Sequence, residues 1–242
     1  MPAGRVAVVT GGTRGIGRII SISLKEAGYS VAATYARNES AAQDFSKQTN
    51  IYTCKFDVAD YAACEAGVEK IAADLGPIDV LINNAGITRD AAMHKMTPTQ
   101  WGEVIQTNLT SCFNMCRSVI IGMRQRGFGR IVNMGSINGQ SGQYGLSNYS
   151  AAKAGLHGFT KALALEGAGK GITVNTIAPG YIDTAMIRSV PQNVLEKIIA
   201  RIPVGRLGRT DDVARAVLFL VADDADFITG SCLAVNGGQH MY

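Results

Sequence analysis

The sequence predicts an α/β protein with a doubly wound parallel sheet, and three observations indicate this fold class. Short apolar runs without polar alternation recur along the 242 residues, as expected for strands buried on both faces of a sheet. Segments with apolar residues at helical spacing separate most of these runs. Polar or glycine-rich motifs follow several runs directly, at the strand ends where such sheets bind ligands. We therefore expect about seven strands in a single domain over residues 1–242, with helices on both faces.

The first half of the chain alternates strands and helices that glycine and proline separate. Residues 5–10 read Arg-Val-Ala-Val-Val-Thr, a short apolar run typical of a buried parallel strand. Gly28 and Gly76-Pro77 are placed to end two helices, because glycine adopts the left-handed conformation that closes a helix and proline cannot continue one. The strands of this half are expected at 5–10, 31–35, 51–56 and 78–83, and its helices at 16–27 and 61–75.

The second half opens with a strong signal for the start of a helix. Thr97 can cap the helix, Pro98 suits its first turn, and Gln100 completes a capping box. Gly127 marks the end of the same helix. The helices of this half are expected at 97–126, 149–168, 194–200 and 211–222, and its strands at 130–134, 172–177 and 232–235.

The composition favours a folded domain that binds small anionic ligands. With 47% hydrophobic and 17% charged residues, a large core is expected and disorder is not. The formal charge of +4 is too small and too dispersed to predict nucleic-acid binding. The five cysteines include no Cys-x-x-Cys pair, so we expect neither disulfides nor a metal site. Because residues 1–5 do not resemble a signal peptide and no apolar run is long enough to span a membrane, a cytoplasmic protein without membrane contact is expected.

Tyr149 and Lys153 stand four residues apart in the run Tyr-Ser-Ala-Ala-Lys. Residues at this spacing share one face of a helix, so the lysine ammonium can lie beside the tyrosine phenol. A neighbouring cation stabilises a phenolate, which makes the phenol usable as a proton donor and acceptor near neutral pH. A tyrosine and a lysine at this spacing often occur by chance. Here the glycine loop near the start of the chain supports the interpretation of the two residues as a catalytic pair.

A glycine-rich loop follows the first strand and opens the first helix, with the spacing Gly-x-x-x-Gly-x-Gly. Glycines permit a tight turn and a close approach of the backbone to a ligand, and the helix N-terminus offers free amides to a pyrophosphate. The alternative is a glycine-rich turn without a ligand, but the position between a strand and a helix favours a dinucleotide site in a Rossmann-type sheet. The residues expected at the pyrophosphate are Gly11, Gly12, Thr13, Arg14, Gly15, Ile16 and Gly17.

The second strand indicates which dinucleotide binds. Chains that bind NAD usually carry an acidic residue about 20 residues after the loop, where it binds the ribose 2′-hydroxyl. Here residues 34–38 read Thr-Tyr-Ala-Arg-Asn, and the first acid is Glu39. Arg37 and Arg14 could pair with a 2′-phosphate through charge-assisted hydrogen bonds, so we predict NADP(H). The alternative for Arg37 is a solvated surface charge.

Further motifs extend the pattern over the whole chain. They are Asp57-Val58 after the third strand, Asn83-Asn84-Ala85-Gly86 after the fourth, Asn108, Ser136, and Pro179-Gly180 after the sixth. Together with the glycine loop and the Tyr149–Lys153 pair, they resemble the short-chain dehydrogenase/reductase family. The resemblance implies a catalytic tetrad of Asn108, Ser136, Tyr149 and Lys153.

The resemblance also implies a role for each member of the tetrad in a hydride-transfer enzyme. Ser136 and Tyr149 would bind a substrate carbonyl oxygen, and Tyr149 would deliver the proton. Lys153 would also bind the nicotinamide ribose, and Asn108 would anchor a water that relays protons. The other cofactor contacts implied are Asp57 and Val58 at the adenine, Asn84, Ala85 and Gly86 along the adenine ribose and nicotinamide side, Pro179 and Gly180 in the turn after the sixth strand, and Ile182 and Thr184 at the carboxamide.

Within the family, the chain most resembles acetoacetyl-CoA reductases of polyhydroxybutyrate synthesis, and next 3-oxoacyl-acyl-carrier-protein reductases. The stretches that carry this resemblance are 84–90, 138–145, 149–160 and 236–241. It implies the reduction of an acyl-thioester 3-keto group to the (3R)-hydroxy compound. A carrier-protein substrate is the alternative, and a nucleotide-binding sensor without catalysis is a distant third. The substrate contacts expected are Asp90, Ser136, Gln143, Tyr144, Leu146, Tyr149, Gly180 and Tyr181, of which Leu146 stands where we expect glutamine in acetoacetyl-CoA reductases.

Three regions bear on substrate delivery and assembly. Residues 183–208 resemble the family's mobile substrate lid, and Arg188 on it is either a contact for a CoA phosphate or a solvated charge. Candidates for a basic patch that would receive an acidic carrier protein are Arg124, Arg126 and Arg130. The resemblance further implies a homotetramer that packs through the long helices and the C-terminal strands.

Overall fold

The computed structural model describes residues 4–241, in which seven strands form one parallel sheet. The strands are β1 (Val6–Val9), β2 (Ser30–Tyr35), β3 (Tyr52–Lys55), β4 (Ile78–Asn83), β5 (Gly129–Met134), β6 (Ile172–Pro179) and β7 (Cys232–Val235). Their order across the sheet is β3-β2-β1-β4-β5-β6-β7. The predicted doubly wound α/β fold is confirmed. Residues 1–3, where we expect no signal peptide, and residue 242 lie outside the described part of the chain.

Ten helices connect the strands within residues 4–241. They are α1 (Gly15–Glu26), α2 (Glu39–Thr49), α3 (Tyr61–Leu75), α4 (Pro98–Ile105), α5 (Ser111–Arg126), α6 (Ile137–Ser141), α7 (Ser147–Ala168), α8 (Ala185–Arg188), α9 (Gln192–Ile199) and α10 (Thr210–Val221). The predicted capping box opens α4, where Thr97 Oγ1 accepts a hydrogen bond from Gln100 N at 3.2 Å and Gln100 Oε1 accepts one from Thr97 N at 2.9 Å. None of these helices is long and apolar enough to cross a lipid bilayer.

Helices cover the sheet on both faces, and the core therefore has two layers. On one face α1, α2 and α10 pack against the strands through buried side chains such as Ile20, Leu24 and Phe45. On the other face α3, α5 and α7 do so, with Ile71 and Met115 among the fully buried side chains. The strands are buried on both sides by these layers, which explains why their sequences read as continuous apolar runs.

The carboxyl ends of all seven strands meet at one edge of the sheet, which we call the carboxyl edge. β1 and β4 are neighbours at its centre. From β1 the chain continues to β2 on one side, and from β4 it continues to β5 on the other side. A crevice opens outside the strand ends at such a reversal, and ligands of open α/β sheets bind there. The loops after β1, β4, β5 and β6 therefore define the candidate site.

The structure departs from the predicted elements in two ways. The predicted helix over 97–126 is interrupted by a π turn at Gln106–Thr110, which separates α4 from α5. The apolar spacing does not reveal this turn, because one extra residue leaves most of the buried face unchanged. The helices α2, α6 and α8 are absent from the prediction: α2 is mostly polar and buries only Ala42 and Phe45, and α6 and α8 have five and four residues.

Candidate active site

Tyr149 and Lys153 lie in the first two turns of α7, at the carboxyl edge. Lys153 is only 4% exposed, and its Nζ donates a hydrogen bond of 2.6 Å to the main-chain oxygen of Met134, the last residue of β5. The same Nζ lies 5.6 Å from the centre of the half-buried Tyr149 ring. The structure thus brings the phenol and the ammonium together as the four-residue spacing predicts.

Asn108 lies in the π turn between α4 and α5 and is fully buried. Its side-chain amide forms two hydrogen bonds with the main chain of Ile87: Oδ1 accepts from the Ile87 N–H at 2.8 Å, and Nδ2 donates to the Ile87 carbonyl at 2.7 Å. A Cβ atom added to Gly86 would lie 2.7 Å from Asn108 Oδ1 and 3.8 Å from Lys153 Nζ. Asn108 therefore fixes the loop after β4 beside Lys153, and its anchoring of a water remains a prediction.

Ser136 follows β5 and caps the short helix α6. Its Oγ accepts a hydrogen bond of 3.1 Å from the main-chain N–H of Asn138, and the residue is 8% exposed. Because a hydroxyl both accepts and donates, this contact leaves the hydroxyl proton of Ser136 available to another acceptor. A substrate carbonyl oxygen is an acceptor of the kind that this proton could bind.

The glycine loop between β1 and α1 excludes side chains at several positions. Gly11 and Gly15 adopt φ angles of +61° and +54°, a region that favours glycine. A Cβ atom at Gly12 would lie 2.8 Å from the carbonyl oxygen of Val9, and one at Gly17 would overlap the carbonyl oxygen of Gly11. No side chain caps the N-terminus of α1, and its first turn carries no acid. The loop therefore leaves main-chain amides directed at a space suited to a pyrophosphate.

Thr10 joins the glycine loop to the loop after β4, a role that the sequence analysis missed. The buried Thr10 Oγ1 accepts hydrogen bonds of 2.9 Å from the N–H groups of Asn84 and Ala85. Asn84 Nδ2 returns a bond of 2.9 Å to the Thr10 carbonyl. The two loops expected to hold a dinucleotide are thus fixed to each other. The only sequence signal for this was the position of Thr10 directly before the glycines.

The end of β2 carries an exposed cation without an acid beside it. Arg37 and Arg14 are exposed, and neither forms an ion pair within residues 4–241. Glu39, the first acid after this strand, begins α2 and pairs with Lys55 at 2.8 Å. After β3, Asp57 is exposed, with Oδ1 accepting a 3.0 Å hydrogen bond from Ala59 N, whereas its neighbour Val58 is buried.

The loops expected to bind the substrate surround the start of α7. Asp90 and Gln143 are exposed, and Tyr144 is 87% exposed. Leu146 is half-buried at the residue before α7, which leaves its contact with a substrate a prediction. The main-chain N–H of Ala91 donates a 2.9 Å hydrogen bond to the carbonyl of Gly145, so the loops after β4 and after α6 are joined.

The segment after β6 passes beside β7 and then into the predicted lid. Pro179 ends β6, and Gly180 donates a main-chain hydrogen bond of 3.0 Å to Val235 in β7. Tyr181 lines a cleft of about 250 Å³ together with Ile202 and with residues 236–238, which follow β7. Further along, Ile182 is buried against Gly208, and Thr184 precedes α8.

Three arginines proposed as a patch beside the site lie elsewhere, which corrects that expectation. Arg130 is near the amino end of β5, is 2% exposed, and donates hydrogen bonds to the carbonyls of Ala222 and Asp223. Arg126 pairs with Asp79 near the amino end of β4, and Arg124 bonds to a carbonyl at the end of α7. These positions are on the edge of the sheet opposite the carboxyl edge. On the lid, Arg188 forms a bidentate ion pair with Asp183, so its charge is already compensated.

No group of three or more His, Cys, Asp or Glu side chains within residues 4–241 is arranged to hold a metal ion. Of the five cysteines, Cys54, Cys64, Cys112 and Cys116 are buried, and Cys232 is half-buried. Burial raises the pKa of Cys64 to about 12, which keeps its thiol protonated at neutral pH.

Comparisons with known proteins identify the family of the chain. A family model described as enoyl-(acyl carrier protein) reductase matches residues 11–240. An acetoacetyl-CoA reductase of Shinella zoogloeoides is 64% identical over 236 residues, which cover 97% of this chain and 98% of the relative. An acetoacetyl-CoA reductase of Rhizobium meliloti (strain 1021) is 63% identical, with 98% and 99% covered. A 3-oxoacyl-[acyl-carrier-protein] reductase of Escherichia coli (strain K12) is 45% identical, with 98% of both chains covered. With this similarity along its whole length, the chain is an oxidoreductase that belongs to the short-chain dehydrogenase/reductase family.

Proposed function

We propose that this protein uses NADPH to reduce the 3-keto group of acetoacetyl-CoA, or of another short 3-oxoacyl-CoA, to the (3R)-hydroxyacyl-CoA. The observation that carries the proposal is the grouping of Ser136, Tyr149 and Lys153 at the carboxyl edge, beside a glycine loop suited to a pyrophosphate. The thioester class comes from relatives named acetoacetyl-CoA reductase at 61–64% identity. The (3R) configuration rests on the family resemblance alone.

The residues at the carboxyl edge fit a bound dinucleotide, because the glycine loop leads into the N-terminus of α1, which no side chain caps and whose first turn carries no acid. When bound, NADPH supplies the hydride that reduces the carbonyl carbon. The residues that would hold it are the glycine loop 11–17, Arg14 and Arg37 at the 2′-phosphate, Asp57 and Val58 at the adenine, Asn84, Ala85 and Gly86 after β4, Tyr149 and Lys153 at the nicotinamide ribose, and Pro179, Gly180, Ile182 and Thr184 after β6.

Each polar side chain has a separate task in the proposed reaction. Ser136 and Tyr149 donate hydrogen bonds to the substrate carbonyl oxygen and stabilise the negative charge that develops on it. Tyr149 then transfers its phenolic proton to that oxygen. Lys153 stabilises the phenolate that remains, and Asn108 anchors a water that returns the proton from solvent. The substrate's acyl chain would pass Asp90, Gln143, Tyr144, Leu146, Gly180 and Tyr181.

The choice of NADPH over NADH rests on charge at the end of β2. The exposed and unpaired Arg37 and Arg14 can form charge-assisted hydrogen bonds with a 2′-phosphate. An acid at this place would repel that phosphate, but Glu39 is engaged by Lys55. The exposed cations and the missing acid therefore both favour the phosphorylated cofactor.

Reduction of a 3-oxoacyl group on acyl carrier protein is the second candidate, supported by the 45% identical reductase of that name. The basic residues Arg124, Arg126 and Arg130 give it no support, because they lie at the edge of the sheet opposite the carboxyl edge. A nucleotide sensor without catalysis should lack members of the tetrad, whereas this chain carries all four.

We further propose a cytoplasmic homotetramer. A groove of about 610 Å³ lies between the outer faces of α5 and α7, away from the carboxyl edge, and we call it the α5–α7 groove. Phe113, Ile120, Phe159 and Leu163 line it, with Arg117 and Glu166 among its charged residues. An apolar groove with both charges suits a second copy of the chain, because a twofold axis repeats every contact, so that one Arg117–Glu166 pair between subunits would occur twice.

Initial rates of NADPH oxidation with acetoacetyl-CoA and with acetoacetyl-acyl-carrier protein test the substrate. We expect a higher kcat/KM for the CoA thioester. A clear preference for the carrier protein would assign the enzyme to fatty acid synthesis and leave the tetrad and cofactor proposals intact. Activity on neither thioester would reject the proposed substrate class.

A further inference from the structure

A row of four buried polar side chains crosses the sheet just beneath the carboxyl edge. Asn83 in β4 is the register partner of Asn133 in β5, and Asn133 is the register partner of Thr176 in β6. The fourth member, Thr160, comes from α7. All four are at most 3% exposed. We call these residues the polar row.

Every member of the polar row is hydrogen-bonded to its neighbour. Asn83 Nδ2 donates to Asn133 Oδ1 at 2.8 Å, and Asn133 Nδ2 donates to Thr160 Oγ1 at 2.9 Å. Thr160 Oγ1 and Thr176 Oγ1 are 2.8 Å apart. Because Thr160 accepts from Asn133, its own hydroxyl proton can be donated to Thr176. Thr160 is therefore the branch point between strand β5, strand β6 and helix α7.

The row joins both partners of the hydrogen bond that holds Lys153. The acceptor is the carbonyl of Met134, the residue directly after Asn133. The donor is on α7, two turns before Thr160, on the same helix face. Within residues 4–241, Lys153 and Thr160 are the side chains of α7 that hydrogen-bond to the sheet. Both bonds therefore determine how α7 is seated.

Apolar packing alone leaves such a helix free to shift slightly on the sheet, because the hydrophobic effect is not directional. Hydrogen bonds are directional, and a buried donor without an acceptor is costly, so Thr160 favours one position of α7. Tyr149 and Lys153 are on this helix, and Ser136 follows the strand that carries Asn133. The polar row thereby sets the distance between groups that must act on one substrate oxygen.

We propose that Thr160 is a positioning residue that holds the Lys153 ammonium and the Tyr149 phenol in register with the carboxyl edge. The kinetic test of this inference rests on the proposed function, because it measures the reduction of acetoacetyl-CoA. Thr160 touches neither substrate nor cofactor in this proposal, and acts through the seating of α7 and through Asn133.

The test compares Thr160→Val, Thr160→Ser and Thr173→Val. The valine has nearly the shape of threonine but lacks the hydroxyl, whereas serine keeps it. Thr173, which lies in β6, is a matched control, since it is buried like Thr160 but its hydroxyl has no hydrogen-bond partner within residues 4–241. Because a displacement of about 1 Å can lower a rate by about 100-fold, we expect kcat of Thr160→Val to fall by about tenfold or more.

Two further readouts separate positioning from a general loss of stability. The KM for acetoacetyl-CoA should stay within about twofold, because the row does not contact the substrate. The solvent deuterium isotope effect on kcat should rise, because the proton-transfer groups are the ones misplaced. Thr160→Ser should retain most of the parent kcat, and Thr173→Val should keep the full parent kcat. An unchanged kcat in Thr160→Val, or an equal loss in both valine variants, would overturn the proposal.

A parent enzyme that reduces neither thioester would reject the proposed function, and the positioning role would then be decided by structure. Crystal structures of the parent and of Thr160→Val would be compared at the Lys153 Nζ–Met134 O hydrogen bond. We expect this bond to lengthen or break in the variant and to persist in Thr173→Val. A bond of unchanged length in both variants would overturn the role of Thr160 without reference to activity.

Discussion

At the scale of single residues, the proposed chemistry depends on the buried Lys153, which forms no ion pair in the described part of the chain. Lys153 is 4% exposed, and the partner of its Nζ is the neutral carbonyl of Met134. Such a charge is stabilised by any negative charge that forms nearby. The phenolate of Tyr149, left behind after proton transfer, is that charge in the proposed reaction.

Tyr149→Phe should keep the ring and its packing but remove the proton donor. Because positioned general acids contribute about 10²- to 10⁴-fold, we expect kcat to fall by about 10³-fold. NADPH binding, followed by the change in its fluorescence, should be retained. Tyr52→Phe is the control, since Tyr52 begins β3 and its hydroxyl donates to Asp74 near the end of α3, away from the carboxyl edge. Substantial turnover by Tyr149→Phe would reject Tyr149 as the donor.

Arg37→Ala should weaken the use of NADPH far more than that of NADH. The guanidinium is exposed and has no ion-pair partner in the described part of the chain, so it is available to a 2′-phosphate. Since a hydrogen bond to a charged group contributes about 1.5–3 kcal/mol, the KM for NADPH should rise at least about tenfold. Initial rates measured with NADPH and with NADH give the change in cofactor preference. Lys47→Ala controls for the change in net charge. Equal losses with both cofactors would remove Arg37 from this site.

At the scale of helices and strands, the sequence predicts those helix bounds that neighbouring residues determine, such as ends at a glycine and a start at a capping box. The ends of α1, α3 and α5 follow from Gly28, Gly76 and Gly127, and the start of α4 follows from the capping box at Thr97; the structure confirms these four bounds to within one residue. The π turn could not be predicted, because it accompanies contacts between Asn108 and a residue 21 positions away.

The same distinction applies to the site. The positions of Ser136 and Lys153 follow from motifs placed after strands or on one helix face. The roles of Thr10, Asn148 and Thr160 depend on hydrogen bonds to residues 74, 59 and 27 positions away, which no local pattern encodes. Sequence motifs therefore indicate the candidate reacting groups, and the structure shows which residues hold those groups in place.

Asn148 joins the start of α7 to the loop after β4 and to helix α4. It is fully buried, and its Nδ2 donates hydrogen bonds of 3.1 Å to the carbonyls of Arg89 and Gln100. Its Oδ1 accepts a bond of 2.8 Å from the main-chain N–H of Tyr149. Only an amide can make all three contacts, because it offers two donor protons and an acceptor on one planar group.

Asn148→Asp should destabilise the fold, and more so as the pH rises. An ionised carboxyl would face two carbonyl oxygens, so burial raises the folded pKa of the introduced group above its unfolded value of about 4. Stability then falls with increasing pH between these two pKa values. We expect a loss of about 2 kcal/mol or more at pH 7, because a buried polar group loses its partners. Urea unfolding at pH 5 and at pH 8 measures the loss in the free energy of unfolding and its dependence on pH.

Asn38→Asp is the control for this substitution. Asn38 is exposed and caps α2, where aspartate caps about as well as asparagine. Its free energy of unfolding should change little at either pH. A loss of similar size in both variants, or one that is independent of pH in Asn148→Asp, would show that Asn148 is not held as the structure indicates.

At the scale of the whole molecule, the proposed catalytic groups and the proposed contact surface lie on different parts of the same helix. α7 carries Tyr149 and Lys153 near its start, at the carboxyl edge, and lines the α5–α7 groove with its later turns, 159–167. A second copy seated in the groove would bury the outer face of α7 and restrain the helix that holds the proton donor. Assembly and catalysis would then depend on the same element.

Phe113→Glu should weaken the proposed tetramer without unfolding the subunit. Phe113 lines the α5–α7 groove and is 51% exposed, so the subunit tolerates a polar side chain there. A twofold axis introduces the charge twice at one interface, which doubles the cost. Analytical ultracentrifugation should find a tetramer for the parent and smaller species for the variant. Lys47→Glu, on the exposed side of α2, should remain tetrameric. A parent monomer, or a Phe113→Glu tetramer of unchanged stability, would show that the groove does not receive a second copy.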